Sequence, residues 1–97
     1  MKPSGSWRFP VGTKTRIGFR WHGDDLPVGV TITSGTKAVT PAVGLTVADP
    51  SVNSGADGVY CLIEALAAGD YYILIVGSRS DGDKNVELAF VEIFATS

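Results

Sequence analysis

The 97-residue chain predicts an all-β fold: about seven strands in two antiparallel sheets packed face to face. Three observations carry that expectation. Apolar residues recur with a period of two rather than 3.6. Gly 12 and Pro 5 make up 17 of the 97 residues, which implies short segments between frequent turns. Finally, 44% hydrophobic against 19% charged residues can fill the core of one domain and excludes a disordered chain.

Residues 1–12 read as a basic arm ahead of a single sandwich domain over 13–97. Along the first strand, Thr15, Ile17, Phe19 and Trp21 share one face, and Lys14, Arg16, Gly18 and Arg20 the other. His22-Gly23-Asp24-Asp25 reads as a turn. Val28, Val30 and Ile32 alternate with Gly29, Thr31 and Thr33 as a second strand, and Ser34-Gly35 reads as a hairpin turn. Thr36 to Thr40 is a short strand closed by Pro41, and Val43, Leu45 and Val47 make another. Residues 48–58 form a long polar loop. Val59 to Glu64 is a strand, and Leu66 to Asp70 turns the chain. The helix-forming composition of Cys61 to Ala68 competes there, but the glycines on either side punctuate strands better. Tyr71 to Val76 is the strongest strand signal. A polar loop over Gly77 to Lys84 precedes a final long strand, Val86 to Ala95.

The late strands are apolar on both faces. Tyr71, Ile73 and Ile75 alternate with Tyr72, Leu74 and Val76. In the last strand Val86, Leu88, Phe90 and Phe94 share a face interrupted by Glu92, and Ala89, Val91 and Ile93 share the other with Glu87. A sandwich has one interior, so the surplus predicts an exposed apolar patch on Tyr60, Leu62, Tyr72, Leu74 and Val76, contiguous if these strands are neighbours. Such a patch marks an interface, either between copies of the chain or with a larger assembly.

Charge is divided along the chain. Residues 1–20 hold Lys2, Arg8, Lys14, Arg16 and Arg20 and no acid, a local +5, leaving three bases and ten acids, a local −7, to the rest. An arm of these residues, anchored by Trp7 and Phe9, would meet an acidic protein surface. Five charges over twenty residues are a thin footprint for nucleic acid.

Catalytic and metal signals are poor, and neither an enzyme nor a cofactor is expected. Cys61 and His22 are the only members of their types; Cys61 lies in an apolar strand as a small hydrophobe, and His22 opens a turn. One cysteine excludes an internal disulfide framework. Oxygen donors at Asp81, Asp83, Asn85, Glu87 and Glu92 follow much of a calcium-loop spacing, but Val86 stands where that loop needs Gly and strand periodicity follows. Asp81 and Asp83 remain the weak metal candidates. Trp7, Tyr60 and Tyr72 could stack on a glycan, so a carbohydrate-binding module of a secreted or surface protein is the alternative function. No apolar run reaches a membrane-spanning length of ~18 residues, and the N-terminus shows no signal-peptide core.

Gly58-Val59-Tyr60 followed by Leu66-Ala67-Ala68-Gly69-Asp70-Tyr71 resembles the late-strand signature of immunoglobulin-like domains, of the disulfide-free bacterial and viral type. The resemblance implies an immunoglobulin-like sandwich in which Tyr71 is the corner tyrosine, its ring inward and its hydroxyl tied to the turn, with Trp21 a loose counterpart of the core tryptophan. The run Arg16 to Trp21, then Asp24 to Val28, is similar to small β-sandwich proteins of tailed-phage virions. That similarity implies a structural role in a virion, as a capsid decoration (cement) protein or a tail component, associating with neighbouring subunits.

Overall fold

The computed structural model describes residues 5–96 and contains no α-helix among them. Eight strands are present: β1 (Gly5–Pro10), β2 (Lys14–Arg20), β3 (Ile32–Thr40), β4 (Leu45–Val47), β5 (Ser51–Val52), β6 (Gly58–Ala65), β7 (Gly69–Arg79) and β8 (Lys84–Phe94). One sheet has the order β1-β8-β7-β3. The other has the order β2-β6-β4, with β5 also pairing β6. All pairings are antiparallel except β1 with β8, which is parallel, so the first sheet is mixed.

Within the expected arm, residues 5–10 are therefore a strand of the domain. Residues 5–10 pair with Ala89 to Phe94, and the chain crosses to the second sheet through Gly12, at φ 96°. Trp7 and Phe9 alternate inward, and Trp7 meets Phe19 edge-on at 5.6 Å between ring centroids. Two apolar side chains in the first ten residues were enough to draw this segment into the sheet. Lys2 lies outside the described residues.

Between the sheets, Ile17, Phe19 and Trp21 of the β2 segment and Val59, Cys61 and Ile63 of β6 meet Tyr71, Ile73 and Ile75 of β7 and Ala89, Val91 and Ile93 of β8. Period two placed these residues correctly, because one face of each strand has to be dry. Glu87 shares the inward side with them and accepts a 2.8 Å hydrogen bond from the Trp21 indole N–H. Tyr71 forms the expected corner, its hydroxyl donating to the Ala67 carbonyl at 2.8 Å.

The middle of the chain differs from the expected pattern. Val28 to Thr31 is a loop, because Pro27 and Gly29 (φ 84°) break the extended backbone, and Val28 points fully into solvent. Ser34-Gly35 is not a turn but the interior of β3. A Cβ on Gly35 would press to 3.1 Å against Val59 and Pro50, so this glycine lets the layers approach. Val43 lies outside β4 and is exposed. The polar segment 48–58 includes the short β5, and then a turn in which Asn53 binds the Asp57 side chain and the backbone N–H groups of Asp57 and Gly58. Cys61 to Ala65, by contrast, is strand as expected, and the competing helix does not form. The last hairpin is tighter than expected, since β7 runs on to Arg79 and β8 starts at Lys84.

Candidate functional site: the outer face of the mixed sheet

On β7 the inward residues are Tyr71, Ile73, Ile75 and Gly77, so Tyr72, Leu74, Val76 and Ser78 point outward. Register with β8 pairs Asp70 with Glu92, Tyr72 with Phe90, Leu74 with Leu88, Val76 with Val86 and Ser78 with Lys84. On the other flank Thr40, Ala38 and Thr36 of β3 stand beside Tyr72, Leu74 and Val76. Three uncharged rungs thus lie across three strands, with Tyr72 and Phe90 in contact at 5.2 Å between ring centroids. Tyr72, Leu74 and Val86 retain 44%, 36% and 44% of their accessible surface. Leu88, Phe90 and Val76 are half-buried by their neighbours in the sheet.

The expected patch is divided by this topology. Tyr60 and Leu62 belong to β6 in the other sheet and point out from the opposite side of the sandwich. They cannot share a contact surface with Tyr72, Leu74 and Val76. Leu62 is exposed, while the Arg16 guanidinium lies 4.6 Å from the Tyr60 ring centroid and shields it. Alternation shows Val86, Leu88 and Phe90 sharing a face, but it does not put them in the interface with Tyr72, Leu74 and Val76. The missing signal was sheet membership: alternation shows that a strand has two faces, not which strand lies beside it.

Three of the basic residues expected on an arm, Arg8, Lys14 and Arg20, are paired locally. Arg8 binds Glu92 at 3.1 Å and stacks on Phe94, its guanidinium 4.2 Å from the ring centroid. Lys14 meets Glu64 at 3.6 Å and Arg20 meets Asp57 at 2.7 Å. Their partners are acids from the later part of the chain, so the charge division along the sequence is closed in part by folding. These exposed pairs are individually weak, but together they reduce the local excess of positive charge that steering requires.

At the β7–β8 hairpin the Arg79 guanidinium holds Asp81 through Nε at 3.1 Å and Nη2 at 2.5 Å, and reaches Asp83 at 4.0 Å. The weak metal candidates thus already have an internal cation, and Arg79 keeps the Asp81 carboxyl below its ordinary range. Among the described residues, no group of three His, Cys, Asp or Glu could hold a metal ion. Burial raises the Cys61 thiol to about 11, so it is protonated at neutral pH and a poor nucleophile. The aromatic residues do not gather into a platform either. Trp7 faces inward, and Tyr60 and Tyr72 lie on opposite sides of the sandwich.

No family model matches the chain, and no curated protein matches it in sequence. Solved structures do match in fold. The cysteine protease inhibitor EhICP2 from Entamoeba histolytica is similar with a TM-score of 0.61 at 11% identity, over 95% of this chain and 87% of that one. Amebosin is similar at 0.50 and 16% identity, over 96% of this chain and 100% of that one. The BIgI domain of the beta protein from S. agalactiae, in a structure bound to CEACAM1, is similar at 0.50 and 7% identity, over 98% and 94%. Identities this low establish architecture alone. With the two packed sheets and the Tyr71 corner, they make this chain an immunoglobulin-like β-sandwich.

Proposed function

We propose that the chain is a non-enzymatic structural and binding module that docks into a protein assembly through the outer face of the β1-β8-β7-β3 sheet. One observation carries this reading: the ladder of Tyr72, Leu74 and Val76 beside Phe90, Leu88 and Val86 is uncharged, with three of its six side chains exposed and three half-buried. Fully burying one such side chain is worth ~1.5–3 kcal/mol. Six of them, already partly covered, still supply a favourable term large enough to meet the ordering cost of association. The finer assignment is to a tailed-phage virion, as a capsid decoration or tail protein. It rests on the resemblance of the segments Arg16 to Trp21 and Asp24 to Val28.

Glycan recognition has less support, since the aromatic candidates lie on different surfaces.

The test is incorporation. The wild-type chain and a Leu74→Asp variant are supplied to a host producing the particles, and purified particles are analysed by quantitative mass spectrometry. A fixed copy number per particle for wild type, lost in the variant, is expected. Particles lacking the chain would overturn the virion assignment. Particles that retain the variant at the wild-type level would overturn the docking face.

A further inference from the structure

The residues on this face are arranged so that the surface complements itself. Across β7 and β8 the rungs run in order: Asp70 with Glu92, Tyr72 with Phe90, Leu74 with Leu88, Val76 with Val86, Ser78 with Lys84. The middle rung is leucine on both strands. One side of it is aromatic and then acidic, and the other is small and aliphatic and then basic. Both strands show the same size gradient, so the face has a bulky end and a shallow end.

Resting on the docking reading above, we propose that the partner on this face is a second copy of the chain, stacked sheet to sheet about a two-fold axis. That axis lies in the interface, crosses the strands at right angles and passes the Leu74–Leu88 rung. The operation reverses strand direction while keeping β7 over β7 and β8 over β8. Tyr72 then meets Val76 of the other copy, Phe90 meets Val86, and each leucine meets its own equivalent. Large side chains stand over small ones, as interdigitating layers require. The charged ends also match, because Glu92 comes over Lys84 of the other copy, and Asp70 over Ser78. The Lys84 ammonium already leans across β7 to the Ser78 hydroxyl at 3.1 Å.

The other two-fold in the same plane runs along the strands and fits poorly. It would put Tyr72 on Phe90 and Glu92 on Asp70, bulk against bulk and acid against acid. Two physical terms therefore choose the same operator.

The flat area of the face falls short of what a stable interface needs, and the projecting Tyr72, Phe90 and leucine side chains must supply the difference. Strands are spaced ~4.8 Å apart and rise ~3.3 Å per residue, so β3, β7 and β8, which this axis lays over their own equivalents, present roughly 500 Å² in plan, before side-chain relief. A stable interface needs about 800 Å² of accessible surface per partner. Only the Asp70–Glu92 end carries acids, and Arg8 covers part of it through its 3.1 Å contact with Glu92.

Sedimentation equilibrium of the purified chain over a concentration series up to about 100 μM tests the pairing. The expected result is a doubling of mass for wild type, lost in Leu74→Asp and in Leu88→Asp, with circular dichroism confirming that the variants fold. Lys84→Glu, an exposed change outside the core, should loosen the dimer several-fold. Leu74→Cys should be joined to its own equivalent by a short bis-maleimide linker, since of the two axes only the proposed one brings position 74 over itself and stacked sheets lie ~10 Å apart, too far for a direct disulfide; Cys61 is buried and does not compete. A wild type that stays monomeric across the series overturns the pairing, and so does a dimer indifferent to both aspartate variants. If the monomeric chain still enters particles and Leu74→Asp does not, self-pairing fails while the docking face stands. If Leu74→Asp also enters particles, both fail.

Discussion

Tyr71 shows how one side chain can secure a turn. Its ring is 3% exposed in the core, and its hydroxyl reaches the Ala67 carbonyl four residues back. The closeness of Gly44 is part of the same device, because a Cβ there would collide with the Tyr71 hydroxyl. Tyr71→Phe keeps the ring and deletes the hydrogen bond, leaving a carbonyl to find water. We expect a loss of about 1 kcal/mol, seen as a fall of roughly 4–8 °C in Tm for a domain of this size. An unchanged melt would remove the corner from the account. This residue was legible in the sequence because the motif around it is local. Trp21 was legible as a core residue too, but its polar partner was not. Glu87 lies 66 positions away, and only the packed sheets bring it to the indole.

β1 is the element on which expectation and structure differ most. The basic residues near the N-terminus suggest a free arm, yet β1 makes a six-residue parallel pairing with β8 and places Trp7 and Phe9 over the core. Deleting residues 1–10 should therefore destabilise the domain itself. Removing two largely apolar anchors, each worth ~1.5–3 kcal/mol when fully buried, should lower the urea midpoint measurably. A truncated chain with the wild-type midpoint would restore the arm. Parallel pairing of chain ends is non-local, so no turn signal announces it. β3 shows the converse. Gly35 looked like a turn residue from its neighbours, but it serves the close approach of Pro50 and Val59.

Across the molecule, folding closes part of the charge division that the sequence displays. Arg20 holds the Asp57 carboxyl below its ordinary range, chiefly through its hydrogen bond and then through that of Asn53. Arg79 does the same for Asp81. Each of these folded-state pKa values lies below the unfolded value of about 3.9. The stabilisation they provide is therefore complete above that value and is lost as pH falls through the folded pKa. Melting temperatures should fall on acidification below about pH 4, and Asp57→Asn should flatten that fall. An identical acid slope in the variant would count against the Arg20–Asp57 pair as a contributor. The pair joins the end of β2 to the turn before β6, so its effect belongs to the packing of the sandwich rather than to one strand.

Alternation was sufficient to establish the fold class, the inward residues of β2, β7 and β8 and the surplus of apolar side chains on β7 and β8, because the pleat is a local property with a period of two. How that surplus is shared out was settled by topology. β6 joins one sheet while β7 and β8 join the other, which separates Leu62 from Leu74 and sets Phe90, Leu88 and Val86 beside Tyr72, Leu74 and Val76. Strand order is a long-range choice made by the core as it closes, and no periodicity within a strand encodes it.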